Sequence, residues 1–413
     1  MFIVYQLITS FIILFSPIII LIRIFKKKED KTRFKEKFCF FSKKRNQGKL
    51  IWFHGSSVGE IMSVLPIINE YEKNNSIKTI LITSSTLSSS KILDKLKFKK
   101  VIHQFYPIDH IYFSKKFLNY WKPSVAIFLE SEIWPSMFTN LKKNNIPLIL
   151  LNARITKKTF LRWLKIKRFS QSIFNLISIA YPQNNETKLY LKKLNVKKIQ
   201  GIGNIKYIEN NKAQNKKVDK NLNKLFKNLK TCVAASTHNP EEVFAGEAHL
   251  LLKKKYKNFI TIIIPRHVHR TNEISEKLKT LNLKIATHSS KNKNLNDVDI
   301  YIVDTFGESK KFYKIATTVF LGGSIINHGG QNPIEPARFG AKILHGPNIG
   351  NFKEVYKYLK NLKITKKITT PIELANSNIF KKDMKKVGKI NYQGKIILKK
   401  TIKELNKLIN NEL

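Results

Sequence analysis

Short apolar runs alternate with longer stretches of helical spacing along most of this chain, and no other feature of the sequence restricts its fold as strongly. In the first half the apolar runs are KLIWFHGSS (49–57), TILIT (79–83), VAIFLE (125–130) and PLILLN (147–152). Each run is followed by a polar turn and then by a helix-compatible stretch. Uniformly apolar runs of this length are typical of parallel strands that are buried on both faces. The first half is therefore predicted to be an α/β domain with a parallel sheet.

One polar stretch interrupts the alternation and divides the chain. Residues 208–228 are rich in lysine and asparagine, contain almost no apolar clusters and are predicted to be a linker. The alternation then resumes with TCVAAST, ITIIIP, DIYIVDT, TTVFLGGS and AKILHGP. At 413 residues the chain is long enough for two domains. We predict domains at 26–207 and 229–395, an amphipathic C-terminal helix at 396–413, and a ligand cleft at the carboxyl ends of the strands.

The N-terminal segment 1–25 is predicted to be a membrane-anchor helix. Residues 2–25 are almost wholly apolar until Arg23, and a helix of about 20 such residues spans a hydrocarbon core of roughly 30 Å. A cleavable signal peptide is disfavoured because no basic residue precedes the run and no small-residue cleavage site follows it. A basic cluster comes next: Arg23, Lys26, Lys27, Lys28, Lys31 and Arg33. The positive-inside rule then places the chain beyond the anchor in the cytoplasm.

The formal net charge of +48 indicates an anionic partner. Nucleic acid is the first class to consider, but the lysines are spread along the whole chain rather than collected in one stripe. The anionic face of a bilayer attracts each nearby cation by roughly 1 kcal/mol. Together with the apolar N-terminus, the charge therefore favours a membrane surface over a nucleic acid.

Polar residues of the first half collect directly after its predicted strands. Glu60, in HGSSVGE, lies in the first turn of a predicted helix. It either complements the helix dipole, which contributes roughly 0.3–1 kcal/mol, or acts as a general base. Glu130 and Glu132, in LESEIWP, would point the same way along an extended segment, and Arg154 is expected to form a structural salt bridge with one of them. Lys206, in GIGNIKY, is expected at the floor of the cleft.

The second half carries the pattern of a phosphate site. Arg266 comes directly after an apolar run, where its guanidinium can clamp a phosphate. The glycine-rich segment 320–347 is expected to supply helix-start amides for an anion, and Glu335 within it can accept from a ribose diol. His267 and His269 suggest a metal, but no third ligand lies at suitable spacing. With Cys39 and Cys232 as the only cysteines, a cysteine zinc site or a disulfide framework is excluded as well.

Two common nucleotide motifs do not occur. The sequence has no G-x-x-x-x-G-K-[ST] loop for a nucleoside triphosphate and no G-x-G-x-x-G after an early strand. An activated nucleotide bound without a kinase or dehydrogenase signature fits a nucleotide-sugar glycosyltransferase with two facing domains.

Eight ordered motifs place the chain close to one family: WFHGSSVGE, LESEIWP, LNARIT, GNIKY, STHNPEE, PRHVHR, DTFGES and GGSIINHGGQNPIEPARFGAKILHGP. From the N-terminus to about residue 355 the chain resembles the bacterial 3-deoxy-D-manno-octulosonic acid (Kdo) transferases of lipopolysaccharide synthesis. The resemblance implies a GT-B fold of two Rossmann-like domains, the second of which holds the nucleotide. It implies CMP-Kdo as donor, lipid IVA as acceptor, no metal or other cofactor, no nucleic-acid partner, and a place on the cytoplasmic side of the inner membrane.

The resemblance also carries residue roles onto matching positions. Glu60 corresponds to the catalytic base, and Glu130 and Lys206 correspond to positions that stabilise the transition state. The positions that bind CMP are matched by Pro265, Arg266, Phe306, Gly307, Glu308, Asn332 and Glu335. The chain departs from the family at Gln331, where histidine is usual. Two alternatives stay open: a GT-B glycosyltransferase that uses another nucleotide sugar, and a membrane-tethered basic protein that binds an anionic polymer.

Overall fold

The computed structural model describes residues 1–96, 98–209, 220–290, 295 and 297–410. The chain divides into two compact units, of which the first comprises residues 1–212 with 393–413 and the second comprises residues 213–392. Each unit contains one sheet, and the described strands of both sheets pair in parallel. The predicted α/β class is therefore confirmed.

The sheet of the first unit has six strands. They are β1 (Leu50–His54), β2 (Thr79–Ser84), β3 (Val101–Phe105), β4 (Val125–Leu129), β5 (Leu148–Ala153) and β6 (Ile179–Pro182). Their order is β3-β2-β1-β4-β5-β6, so the direction of chain progression reverses between β1 and β4. Strands β1, β2, β4 and β5 are buried throughout, as the uniformly apolar runs predicted. A sheet of this order offers a ligand crevice beyond the carboxyl ends of β1 and β4.

Eight helices precede the second unit. They are α1 (Phe2–Phe25), α2 (Val58–Lys73), α3 (Leu87–Asp94), α4 (Ile111–Trp121), α5 (Pro135–Lys143), α6 (Lys157–Leu164), α7 (Lys167–Phe174) and α8 (Asn185–Lys193). Four of them begin at a short polar side chain that accepts a backbone N–H from the first turn, namely Ser57, Thr86, Thr156 and Asn184, and α4 begins at His110, whose ring accepts in the same way. Each such cap contributes about 1 kcal/mol, so short polar residues fix where these helices start.

The sheet of the second unit has seven strands. They are β7 (Lys230–Thr237), β8 (Phe259–Pro265), β9 (Ile285–Thr287), β10 (Ile300–Ile302), β11 (Thr318–Leu321), β12 (Lys342–His345) and β13 (Thr365–Lys367). Their order is β13-β12-β11-β7-β8-β10-β9, and chain progression reverses between β11 and β7. The helices are α9 (Lys220–Phe226), α10 (Glu241–Lys255), α11 (Thr271–Lys279), α12 (Ser309–Ile315), α13 (Ile334–Ala337), α14 (Lys353–Asn361), α15 (Pro371–Ser377) and α16 (Met384–Ile409).

The observed boundaries differ from the predicted ones at both ends of the second unit. Of the predicted linker 208–228, residues 210–219 lie outside the described residues, and Lys220–Phe226 is the helix α9. The predicted C-terminal helix 396–413 begins earlier, at Met384, and its part from Gln393 onward belongs to the first unit. A close approach explains this return, because a Cβ at Gly394 would lie 2.1 Å from the carbonyl oxygen of Tyr207.

Helix α1 has the length and composition predicted for a membrane anchor. It covers Phe2–Phe25, has a mean hydropathy of 2.5 over its most apolar window, and is the one described helix long and apolar enough to cross a membrane. The cores of soluble proteins and signal sequences contain helices that meet the same criteria, so the surroundings of α1 decide how it is used.

Candidate active site

Three loops of the first unit lie side by side because they follow adjacent strands. Strands β1, β4 and β5 are neighbours and parallel, so the residues after His54, Leu129 and Ala153 emerge at one edge of the sheet. These loops contain Glu60 and Glu130, two of the residues predicted to carry the chemistry. The structure thus brings together side chains that are 70 positions apart in the sequence.

Glu60 lies in the first turn of α2, and its carboxylate is held by donors from the preceding loop. One oxygen accepts the backbone N–H of Ser56 at 2.8 Å, and the other accepts the hydroxyl of Ser57 at 2.9 Å. Burial, reinforced by the nearby carboxylates of Glu132 and Glu130, raises the pKa of Glu60 to about 7. A carboxylate with this pKa is poised to take a proton near neutral pH. Glu60 therefore supports the helix start and has the properties of a general base.

Glu132 is a member of the site that was not assigned a role from the sequence. Its Oε2 accepts from the indole of Trp134 at 2.9 Å and from the hydroxyl of Ser56 at 2.5 Å, and it lies 3.2 Å from Nε2 of His54. Burial opposes ionisation of this group, but these hydrogen bonds, led by that of His54, keep the pKa of Glu132 below its usual range. Ser56 touches both carboxylates, since its amide donates to Glu60 and its hydroxyl donates to Glu132.

Glu130 and Lys206 form an ion pair in which Nζ lies 2.5 Å from Oε1, and both side chains are largely buried. Glu130 has a left-handed backbone with φ of 52°. The segment is therefore not extended, and the expectation that Glu130 and Glu132 point the same way along an extended segment does not apply. The backbone N–H of Arg154 donates to the carbonyl oxygen of Glu130 at 3.0 Å, while the carboxylate pairs with Lys206. A strained backbone beside a buried ion pair is a common mark of a functional site.

The asparagines around Lys206 fix its position. Asn204 accepts the backbone N–H of Lys206 through Oδ1 at 2.9 Å, and Oδ1 of Asn152 accepts the N–H of Ile205 at 3.1 Å. Asn152 also has a left-handed backbone, with φ of 54°. Because these contacts join β5 to the GNIKY segment, Lys206 is held at the same strand ends as Glu130.

In the second unit, four adjacent strands deliver the residues that were predicted to bind CMP. Strands β11, β7, β8 and β10 are neighbours, so the loops that follow them share one edge of the sheet. The predicted residues lie at three of these strand ends: Pro265 is the last residue of β8 and Arg266 follows it, Phe306, Gly307 and Glu308 come after β10, and Asn332 and Glu335 come after β11. The topology therefore gathers the whole predicted set at one edge.

The side chain of Arg266 is accessible to a phosphate group. It is exposed, its backbone N–H donates to the carbonyl oxygen of Thr237 at 3.0 Å, and none of the described residues forms an ion pair with its guanidinium. Arg270, the second arginine of PRHVHR, differs because it is paired with Glu242 at 2.9 Å and with Glu273 at 3.1 Å. Of these two guanidinium groups, that of Arg266 is the one presented to a ligand.

Imidazoles surround the end of β7 beside Arg266. The ring of His238 lies 4.4 Å from that of His328 and 5.8 Å from that of His267, measured between centroids. Burial, followed by the charges of its neighbours, lowers the pKa of His238 to about 4. His238 is therefore neutral at pH 7 and can donate a hydrogen bond without carrying charge. No three His, Cys, Asp or Glu side chains in the described part of the chain are arranged to hold a metal ion.

The glycine-rich segment is organised differently from the expectation. The backbone N–H groups of Gly323, Ser324 and Ile325 donate to the carboxylate of Glu241 at 2.6, 2.9 and 2.9 Å, so these amides are occupied within the protein. The helix that follows, α13, is only one turn long. Gly322 serves close packing, because a Cβ there would lie 2.6 Å from the carbonyl oxygen of Ser236. These three amides are therefore closed to a ligand, while the phosphate site expected on the helix-start amides further along the segment stays a prediction.

The carboxylates predicted to meet the nucleotide are paired with lysines. Glu335 lies 3.1 Å from Nζ of Lys310, and Glu308 lies 2.5 Å from Nζ of Lys311. Phe306 is 79% exposed, which leaves its ring without cover from the described part of the protein.

Gly307 and Asn332 also belong to the predicted CMP-binding set. Gly307 has φ of 86°, a backbone conformation that favours glycine. Oδ1 of Asn332 accepts the N–H of Ile334 at 3.1 Å and so caps the short helix α13.

The fold and these two sets of strand-end loops define the class of protein. The structure is similar to a glycosyltransferase from Rickettsia africae, with a TM-score of 0.56 and 15% sequence identity, over 88% of this chain and 99% of that one. This likeness, together with the two parallel-sheet units, shows a GT-B fold.

Sequence relatives identify the family within that class. A family model described as 3-deoxy-D-manno-octulosonic-acid transferase (kdotransferase) matches residues 32–209. A 3-deoxy-D-manno-octulosonic acid transferase of Rickettsia bellii is 35% identical over 359 residues, which cover 87% of this chain and 85% of the relative. That of Rickettsia felis is 37% identical over 308 residues, which cover 75% of this chain and 66% of the relative. The chain belongs to the Kdo transferase family, as its motifs indicated.

Proposed function

We propose that this protein transfers Kdo from CMP-Kdo to lipid IVA in lipopolysaccharide synthesis, with inversion at the anomeric carbon. Family membership supports Kdo as the transferred sugar. The observation that carries the chemistry is the carboxylate of Glu60, which has a pKa of about 7 and lies beside the Glu130–Lys206 ion pair at the strand ends of the first unit.

In the proposed reaction Glu60 removes the proton from a sugar hydroxyl of the lipid acceptor. The hydroxyl oxygen forms a bond to the anomeric carbon of Kdo, and the bond from that carbon to the phosphate oxygen of CMP breaks. The electron pair leaves with CMP, and the proton stays on Glu60. A pKa of about 7 suits both halves of this task, because the group is substantially ionised at neutral pH yet basic enough to accept a proton.

The Glu130–Lys206 pair is proposed to stabilise charge during this displacement. Positive charge builds on the Kdo ring as the bond to phosphate breaks, and a fixed carboxylate in a poorly hydrated site lowers the energy of that charge. The ammonium of Lys206 holds the carboxylate of Glu130 in place. The left-handed backbone of Glu130 supports this role, since the chain retains an unfavourable conformation there.

CMP is proposed to bind at the strand ends of the second unit. Arg266 supplies a bidentate cation for the phosphate, on which negative charge grows as the bond breaks. The neutral imidazole of His238 lies at the same strand ends and can donate to the same group. Glu335 accepts from the ribose hydroxyls in this proposal, which requires Lys310 to give up its 3.1 Å contact.

The transfer step is proposed to need no metal ion, because Arg266 takes the place that a cation holds in many phosphate sites. The protein is further proposed to work on the cytoplasmic side of the inner membrane, held there by α1 and by the basic segment after it. A charge of +48 supports attraction to a membrane that contains a bisphosphorylated substrate.

The deciding experiment combines purified protein with lipid IVA and labelled CMP-Kdo. We expect labelled Kdo in the lipid product, with the same yield in EDTA, and no product from a UDP-sugar. Glu60→Gln is expected to lower the turnover rate about 100- to 10,000-fold, the loss typical of removing a group that transfers a proton in the transition state. Mass spectrometry of the product after exhaustive reaction gives the number of Kdo residues added.

A matched control separates chemistry from folding. Glu70 lies on the same helix, is half-buried and pairs only with Lys73 at 2.8 Å among the described contacts, so Glu70→Gln is expected to keep wild-type activity. If Glu60→Gln transfers Kdo as fast as the Glu70→Gln control, Glu60 is not the base. If wild-type protein transfers no Kdo to the lipid, the proposed reaction itself is refuted.

A further inference from the structure

Most polar side chains of helix α1 face the protein, and the exposed face of the helix is almost wholly apolar. The residues facing the protein recur at alternating intervals of four and three along the helix: Phe2, Gln6, Thr9, Ile13, Ser16 and Ile20. Thr9, Ser16 and Ile20 are buried, although two of them are polar. We call these six residues the docking seam. The seam extends over nearly the full helix, so α1 lies against the folded chain along its length.

The first turns of α1 are bonded to the first unit by specific hydrogen bonds. Tyr5 donates its hydroxyl to Asp109 at 2.7 Å. The side-chain amide of Gln6 donates to the hydroxyl of Ser136 at 2.8 Å and accepts the backbone N–H of Ile111 at 3.1 Å. Asp109 and Ser136 are themselves buried. The N-terminal end of α1 is therefore fixed to the loop before α4 and to the start of α5.

The last turn of α1 is attached to the same unit. Arg23 lies 3.0 Å from the carboxylate of Glu29, which is almost completely buried and also pairs with Lys37 at 2.5 Å. Ile20, one turn earlier, is buried as well. Both ends of the helix thus contact residues of the first unit.

A helix that crosses a bilayer cannot make both sets of contacts. Its two ends lie on opposite sides of a hydrocarbon core of roughly 30 Å, and a water-soluble unit on one side reaches only the near end. A helix of 24 residues is about 36 Å long, so this separation would be unavoidable. In addition, the hydroxyl and amide groups of Tyr5 and Gln6 would leave buried partners unpaired, at a cost of roughly 1–3 kcal/mol for each group.

The outward face of α1 nevertheless requires an apolar environment. Leu7, Leu14 and Leu21 lie seven residues apart on this face and are 65%, 71% and 55% exposed. The face continues through isoleucine and phenylalanine side chains for the whole helix, which makes it far longer than the apolar patches of soluble monomers. The basic segment that follows matches an anionic lipid surface in charge. Exposed Tyr112, two residues after the His110 that contacts Ser10, is an aromatic side chain of the kind found at such interfaces.

We propose that α1 lies flat in one leaflet of the membrane, with the docking seam on the first unit and the leucine face among the acyl chains, and that it does not cross the bilayer. This inference rests on the membrane association in the proposed function and specifies its geometry. Both ends of α1 then stay on the cytoplasmic side. The first unit is held at the height of the lipid head groups, where the phosphorylated sugars of a lipid acceptor lie.

Spin labels on the leucine face test this geometry in the full-length protein. The variants Leu7→Cys, Leu14→Cys and Leu21→Cys, each of which adds one exposed cysteine, are labelled with a nitroxide in vesicles that contain anionic lipid, and depth is measured by power saturation. Wild type is the labelling control, because Cys39 and Cys232 are buried. A flat helix places all three labels at similar depth, roughly 5–10 Å below the head groups. A crossing helix places the label at position 14 deepest and separates successive labels by about 10 Å along the membrane normal.

The location of the N-terminus supplies an independent test in cells. A cleavable epitope tag before Met1 is expected to resist protease in spheroplasts and to be cut in inverted vesicles, and a C-terminal tag should behave in the same way. Cleavage of the N-terminal tag in spheroplasts would overturn the proposal. A depth profile in which the label at position 14 lies deepest and those at positions 7 and 21 lie shallower would overturn it as well. Labels that never enter lipid, together with α1-dependent dimers by ultracentrifugation, would overturn it in favour of a second copy. Kdo transfer measured in detergent is independent of these outcomes, so the proposed function stands or fails separately.

Discussion

Replacing Glu60 by glutamine should abolish activity and yet stabilise the protein at high pH. The glutamine oxygen can still accept from the N–H of Ser56 or the hydroxyl of Ser57, so most of the local contacts survive. What the substitution removes is a carboxylate that burial and the neighbouring carboxylates hold at a pKa of about 7 rather than its usual 4.5. The ionised form of Glu60 is therefore a source of instability in the folded state.

The size of this effect follows from proton linkage. The folded state binds a proton to Glu60 more tightly than the unfolded state does, so its contribution to stability is complete below pH 4.5 and is lost as the pH rises through 7. A difference of roughly 2.5 pKa units corresponds to about 3 kcal/mol, since each unit is 1.36 kcal/mol. Partial solvent access makes this an upper bound. For a domain of roughly 150–250 residues, each kcal/mol changes the melting temperature by about 2–4 °C.

Differential scanning calorimetry of wild type and Glu60→Gln between pH 4.5 and 8.5 measures the effect. We expect the two proteins to melt together near pH 4.5 and the variant to melt several degrees higher at pH 8.5. The Glu70→Gln variant is the control and should follow wild type throughout. A melting difference that stays constant with pH would refute the reasoning, because it would show that Glu60 has an ordinary pKa.

Three further predictions concern single side chains. The value of kcat/KM should rise with pH through about 7, the pKa of Glu60. Glu132→Gln removes a like charge beside Glu60 and should therefore lower the midpoint of the pH–rate profile. A midpoint that does not move would show that the two carboxylates are not coupled. Arg266→Ala should weaken CMP binding roughly 10- to 150-fold by calorimetry, since hydrogen bonds to charged groups contribute about 1.5–3 kcal/mol, whereas Lys254→Ala should leave the affinity unchanged. Gly322→Ala should lower the free energy of unfolding by about 1–3 kcal/mol in a denaturant titration, because the new methyl group overpacks the carbonyl of the neighbouring loop.

Central strands were predictable from the sequence because they are buried on both faces. All of β1, β2, β4 and β5 appear in the sequence as continuous apolar runs. Three of the four outer strands, β3, β9 and β13, were missed for the same physical reason, whereas the fourth, β6, is buried throughout but only four residues long. The first two residues of β3 are only half-buried, β9 is half-buried throughout, and two of the three residues of β13 are exposed. Strands with an exposed face lack the uniform apolar signal, and their short length leaves no alternation to detect.

The site was predictable where a motif fixes the chemistry and less so where partners come from distant segments. Glu60, Glu130 and Arg266 were identified because each follows a central strand, and within each unit the topology brings such loops to one edge of that unit's sheet. The role of Glu132 depends on His54, 78 positions earlier, and no spacing in the sequence links them. The inward-facing seam of α1 was hidden as well, because composition shows that a helix is apolar but not which side it turns to the protein.

The amides of the glycine-rich segment show why position alone misleads. Glu60 and Glu241 occupy similar places, each in the first turn of the helix that follows the central strand of its unit. Glu60 is surrounded by carboxylates, whereas Glu241 is completely buried and accepts three backbone N–H groups from the loop after β11 and a fourth from His238. The carboxylate of Glu60 is destabilised by its neighbours, in line with its proposed role as the base. The carboxylate of Glu241 is hydrogen-bonded by four backbone N–H groups and holds two loops together.

Glutamine should therefore have opposite effects on stability at the two positions. In Glu241→Gln one acceptor oxygen becomes an NH2 group, which faces backbone donors that it cannot accept from. Each buried N–H left unpaired costs roughly 1–3 kcal/mol, so we expect a loss of several kcal/mol. Glu60→Gln should instead gain stability as the pH rises. Chemical denaturation of both variants at pH 8 decides the matter, and destabilisation of similar size in both would show that the two carboxylates share one structural role.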